Sequence, residues 1–158
     1  MKAFKLDFST QYNQFYITSD KGNAALFDGL NWSDESYNDR LAAFENFLVV
    51  YPESYGHVNG ELLILNSADE TSDFTTYDHV VEGGLNVGSG SLQILDCPNS
   101  ATELEVQLEP GLYRVRIYFS NMAGYDSDEK ESDDKCRIEI WPGNDFQINV
   151  LKRFPRNF

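Results

Sequence analysis

Six carboxylates fall within nine residues of this chain: Asp126, Asp128, Glu129, Glu131, Asp133 and Asp134. Oxygen-dense loops can do one of three things. They can hold a hard cation such as calcium, present a surface to a basic protein, or stay solvated because like charges repel and extend the chain. For calcium the helix-loop-helix spacing is poor. Asp126 and Asp128 suit the first positions, but Lys130 stands where another oxygen ligand belongs, and no glycine follows at the sixth position. Docking a basic partner needs only that the loop be held by rigid flanks. All three readings stay open at this level: the solvated loop is the commonest state of such a run, and the basic partner is the leading functional reading.

Other residues with chemical potential are sparse. His57 and His79 are the two imidazoles, and neither lies near a cysteine or the other histidine in sequence, so a zinc site is not expected. Asp78 and His79 are adjacent, and neighbours on a strand point to opposite faces. No nucleophile elbow is present. Gly83-Gly84 and Gly88-x-Gly90 lack a strand–glycine loop–helix context or a following lysine, which leaves phosphate binding without support. A hydrolase using a carboxylate pair and a carbohydrate platform built on Trp32, Tyr51, Tyr55 and Trp141 are the alternatives. No cofactor and no metal are assigned. Arg114, Arg116 and Arg137 are expected on one face of a strand pair, bonded across strands to Glu139 and the Glu103/Glu105 row.

The elements that must position the acidic run are strands. Leu112 to Phe119 alternates with a two-residue period after the turn signal Glu109-Pro110-Gly111, and Cys136 to Trp141 returns and stops at Pro142-Gly143. The segment between them, 121–135, is an acidic loop. Elsewhere, 3–9, 12–18, 46–51, 61–66, 77–82, 91–96, 103–109 and 145–151 read as strands, the seventh as a half-exposed antiparallel one. Ser33 followed by Asp34 and Glu35 caps one short helix near 33–40, and Tyr37, Leu41 and Phe44 share a helical spacing. Asn59-Gly60 reads as a hairpin turn, and 82–90 as a glycine-rich connection. About nine strands with turn signals every ten or so residues predict a mainly β protein. The expected fold is an antiparallel β-sandwich in a single domain, 1–158, with a basic C-terminal tail, 152–158.

Composition narrows the function. Aromatic residues make up 14%, with 9 Tyr and 11 Phe, which suits a β-rich globule and argues against disorder. There are 26 acidic and 12 basic side chains, a net charge of −14. Such a surface repels nucleic acid and anionic membranes and attracts basic partners. No apolar run approaches the ~18 residues of a membrane span. No leader is expected from an N-terminus that already alternates. Two cysteines, Cys97 and Cys136, are too few for a disulfide framework, and a cytoplasmic location with reduced thiols is the expectation.

The segment Lys5-Leu6-Asp7-Phe8 to Tyr12-Asn13-Gln14-Phe15-Tyr16-Ile17 resembles the opening of the competence protein J family. Trp32-x-x-Glu35, Arg40-Leu41-Ala42-Ala43 and the apolar strand after them follow in a similar order. Pro110-Gly111-x-Tyr113-Arg114-Val115-Arg116 and Ile140-Trp141-Pro142-Gly143 resemble uncharacterised bacterial proteins of the same length. The resemblance implies an acidic β-protein that inhibits a DNA-entry nuclease, a non-catalytic inhibitor or immunity-type protein for a basic nuclease or toxin.

Overall fold

Alternation places one apolar row of each strand on a shared inner face, and two such rows make the core of this protein. The computed structural model describes residues 1–20, 33–44, 46–53, 56–70, 73–122 and 134–155. The strands are β1 (Lys2–Ser9), β2 (Phe15–Thr18), β3 (Leu41–Ala43), β4 (Phe47–Val50), β5 (His57–Ile64), β6 (His79–Val87), β7 (Ser91–Leu95), β8 (Thr102–Gln107), β9 (Gly111–Ser120), β10 (Lys135–Pro142) and β11 (Asn149–Lys152). Helix α1 spans Asp34–Asp39. Two sheets face each other, in the orders β1-β5-β10-β9-β6-β11 and β3-β4-β2-β7-β8. Leu6, Leu62, Ile138, Ile117 and Val81 of the first interlock with Phe15, Ile17, Leu48, Leu92 and Ile94 of the second. The mainly β sandwich is therefore as the sequence predicts. Strand β8 keeps the half-exposed character its alternation announces.

Several particulars differ from the sequence reading. The described residues hold eleven strands, and β5 runs parallel to β10, the one parallel pair among them. Asn59 and Gly60 are not a hairpin turn but the middle of β5. A Cβ on Gly60 would collide with the Cys136 carbonyl oxygen, so this glycine serves close approach of two strands. Gly83 and Gly84 likewise sit inside β6. A Cβ would lie 2.9 Å from Leu41 at the first and 2.7 Å from the Asp145 carbonyl at the second. The helical spacing of Tyr37, Leu41 and Phe44 is also overridden. Ser33 does cap α1, accepting from Ser36 N–H at 3.1 Å. Arg40 then turns left-handed at φ 62° and ends the helix, and Leu41 begins β3. The last strand is shorter than expected, because residues 145–148 cross the outer face of β6 instead of pairing with an edge.

Candidate partner-binding end of the sandwich

Strand pairing gathers one set of chain reversals at a single end of the molecule. Ser120 pairs with Lys135, Phe119 with His79, and Ser9 with His57. The 121–134 connection leaves from this end. Of its six carboxylates, Asp126, Asp128, Glu129, Glu131 and Asp133 lie outside the described residues. Asp134 is described, and it is 5% exposed. Its Oδ2 accepts from the Glu53 backbone N–H at 3.1 Å, which pins the C-terminal root of the connection to the β4–β5 turn. The other root is pinned as well. Met122 N–H donates to Asp78 Oδ2 at 2.9 Å, and the Met122 side chain is buried in the core. Both roots of the connection are thus hydrogen-bonded to the sandwich.

Glu53 ties three segments together here. Its carboxylate accepts from Arg40 Nη2 at 2.6 Å, its carbonyl from Asn13 Nδ2 at 2.8 Å, and its N–H reaches Asp134. The Arg40 side chain is fully buried and also donates to the Tyr51 carbonyl at 3.2 Å. Tyr12 and Asn13 both adopt left-handed backbone, with φ of 62° and 54°. Two successive non-glycine residues in that region need outside support, and the Asn13 side chain supplies it.

His79 lies close by and is buried. Its Nδ1 accepts from Phe154 N–H at 3.0 Å, so Nε2 carries the proton and donates to the Asp39 carbonyl at 2.8 Å. Burial first, then the charges of Arg40 and Arg153, push its pKa down to about 4, which keeps it neutral. Asp78 and His79 do face opposite ways, one toward Met122 and the other toward Asp39. His57 instead meets Asp7 on an open surface at 2.6 Å, and that hydrogen bond, foremost among several causes, lowers the Asp7 pKa. Among the described residues, no three His, Cys, Asp or Glu side chains come together to hold a metal ion.

The arginines form a separate system on the outer face of the six-stranded sheet. Arg114 and Arg116 donate to the two carboxylate oxygens of Glu82 at 3.0 and 2.6 Å. Arg116 donates to the Tyr118 hydroxyl at 2.9 Å, and that hydroxyl donates to Glu139 at 2.7 Å. Glu139 accepts from Arg137, which also bonds Glu61. Three arginines and three glutamates thus run across β6, β9, β10 and β5 as one neutral chain. The Trp141 ring lies 5.2 Å from the Arg116 guanidinium. The single face and the Glu139 partner agree with the sequence reading, but the Glu103/Glu105 row does not take part. It lies on β8 in the other sheet, where Glu105 accepts from Ser91. Glu103 faces Asp96, and burial followed by that neighbouring carboxyl raises its pKa. Of the proposed carbohydrate aromatics, Tyr51 and Trp141 are buried, and Trp32 and Tyr55 lie outside the described residues.

Sequence reasoning missed Glu53, Arg40 and Glu82, because nothing local marks their partners. The left-handed Tyr12-Asn13 pair had a faint signal, since asparagine is enriched in that backbone region.

No family model and no curated protein sequence matches the chain. Solved structures do match it. The crystal structure of ComJ from Bacillus subtilis, inhibitor of the DNA degrading activity of NucA, superposes with a TM-score of 0.63 at 17% identity, covering 90% of this chain and 96% of ComJ. The chain shares its fold with ComJ. A second match is the protein of crocagin biosynthetic gene J, with a TM-score of 0.59 at 13% identity, covering 91% of this chain and 100% of the other. The resemblance to competence protein J read from Lys5–Ile17 and the later motifs therefore holds at the level of the fold. ComJ is an inhibitor protein, whereas identities of 13–17% carry architecture alone.

Proposed function

We propose that this chain is a non-catalytic binding protein that docks a basic protein, as an inhibitor or immunity-type partner of a nuclease or toxin. The docking surface is built on Asp126, Asp128, Glu129, Glu131 and Asp133, with Asp134 as its buried anchor. The reading rests on one observation above the rest. The net charge is −14, yet the arginines of the six-stranded sheet are engaged inside a neutral network. The acid excess therefore lies outside that network, and it steers a cationic partner and mimics the charge a nuclease expects of DNA. The likeness to ComJ, an inhibitor of NucA, adds support from the fold. A cytoplasmic location belongs to the same reading, and it accords with two buried free cysteines. Among the described residues no helix is long and apolar enough to cross a membrane.

The test is a DNA-degradation assay with a NucA-type nuclease from the same cell, titrated with this protein at low and high salt. Inhibition that weakens as salt rises is expected. Absence of inhibition, or inhibition indifferent to salt, overturns the reading. A thermal-stability rise in calcium without inhibition would favour the calcium-binding alternative instead.

A further inference from the structure

A cleft of about 420 Å³ opens at the same end of the sandwich as the Asp134 anchor. Ser9, Thr10, Gln11, Asp96 and Asn99 bring side-chain oxygen acceptors to its lining, Cys97 and Gly56 complete it, and no lysine or arginine is among the lining residues. Its walls are hydrogen-bonded to one another and to neighbouring segments of the chain. Thr10 Oγ1 donates to the Gln14 carbonyl at 2.6 Å and accepts from Cys97 N–H at 2.9 Å, while Gln11 N–H donates to the Cys97 carbonyl at 2.9 Å. Asp96 Oδ1 accepts from Ala101 N–H at 3.1 Å. Asp96 carries no ion pair to a basic side chain among the described residues.

Tyr12 directly follows the lining residue Gln11 in the chain. It is 57% exposed, the second most exposed of the large apolar side chains among the described residues after Met1. The turn that presents it is left-handed at two consecutive positions and braced through Asn13 to Glu53. Exposed tyrosines on rigid supports are favoured anchors of protein interfaces, and an aromatic face attracts a cation within about 6 Å.

We propose that this cleft receives one arginine or lysine side chain of a basic partner, with the Tyr12 ring packing on the cation. The site rests on the reading of the partner as a basic protein, and it adds a specific contact beside the diffuse field of the acidic connection. Long-range charge sets the encounter rate, whereas a seated cation sets the lifetime of the complex. Glu53 joins the two, since it braces the Tyr12 turn and holds Asp134.

The experiment titrates the protein with N-acetyl-arginine amide, N-acetyl-lysine amide and the neutral N-acetyl-citrulline amide while amide chemical shifts are followed by NMR. Saturating shifts at Thr10, Gln11 and Ala101 are expected with the two cations and none with citrulline. Tyr12→Asn removes the ring and suits left-handed backbone, and it should weaken binding about 2- to 5-fold. Asp96→Asn keeps the Oδ1 acceptor for Ala101 and should weaken binding about 10-fold. Non-saturating shifts spread over surface carboxylates, an equal response to citrulline, or indifference to both substitutions overturns the proposal. Nuclease assays separate it from the parent reading. If the wild type inhibits and both variants inhibit equally well, the cleft is not the contact although the inhibitor reading stands. If the wild type inhibits nothing while the cations still saturate the cleft, the inhibitor reading fails and the cation site remains.

Discussion

The outer face of the six-stranded sheet and the end carrying the 121–134 connection are both rich in charge, and they use it in opposite ways. On the sheet face, Glu82, Glu139 and Glu61 each meet a guanidinium within hydrogen-bonding distance, Tyr118 bridges the two halves, and aromatic rings cover the middle. Arg114 and Arg116 also reach the Asp145 and Asp69 carbonyls at 2.9 Å, which fastens two crossing segments to the sheet. At the other region acid exceeds base within the sequence itself, with six carboxylates against Lys130 and Lys135. Of those six, Asp134 lies within the described residues, and it is buried at the root. Paired charge in a low-dielectric setting specifies structure, while surplus charge in water acts at a distance. The lesson is that charge density alone says nothing about role; the availability of a partner within the fold decides it.

That contrast can be broken in a graded series. The largest effect is expected for Glu82→Ala, which leaves Arg114 and Arg116 buried without their carboxylate. A loss of about 3–5 kcal/mol in urea unfolding follows from stranding a buried charge, and a loss under about 1 kcal/mol would show that the network is not what holds this face. Next comes acid. His79 is neutral in the folded chain with a pKa of about 4, against about 6.5 when unfolded. The unfolded state then binds a proton that the folded state refuses. Stability from this group is full above pH 6.5, falls as pH drops through the window down to about 4, and amounts to about 3 kcal/mol. Urea midpoints of the wild type and His79→Gln at pH 7 and pH 5 check it, since the variant should lose less over that interval.

A smaller change is expected for Glu61→Gln, whose partner Arg137 is half-buried and retains Glu139. Solvent screening and the remaining partner hold the loss to about 0.5–1 kcal/mol, measured in the same way. The smallest effect on stability belongs to the combined neutralisation of Asp126, Asp128, Glu129, Glu131 and Asp133 to their amides. Unfolding free energy should move by no more than about 0.5 kcal/mol, whereas the association rate with a basic nuclease at low salt should fall about 10-fold or more. A large stability loss in this variant, with association unchanged, would erase the distinction between the two regions.

Local pattern by itself determined most of the strands and their facing. The alternation in Leu104, Val106 and Leu108, the turn at Pro110-Gly111, and the Ser33 cap each dictate backbone geometry within a few residues, so they were legible before any coordinates. The common face of Arg114 and Arg116 was legible for the same reason, and so was the opposite pointing of Asp78 and His79. Tertiary structure alone decided what those faces meet. Gly60, Gly83 and Gly84 resemble turn glycines locally, but packing against Cys136, Leu41 and Asp145 fixes them inside strands. The parallel β5–β10 pair joins residues more than seventy positions apart, and no local signal carries that register. Arg40 ends a helix and is buried because Glu53, Tyr51 and Phe154 converge on it from other segments. Asp134, one of six similar carboxylates in sequence, accepts the backbone N–H of Glu53, a partner eighty-one positions away that no local pattern announces. Periodicity encodes direction, and direction does not specify a partner.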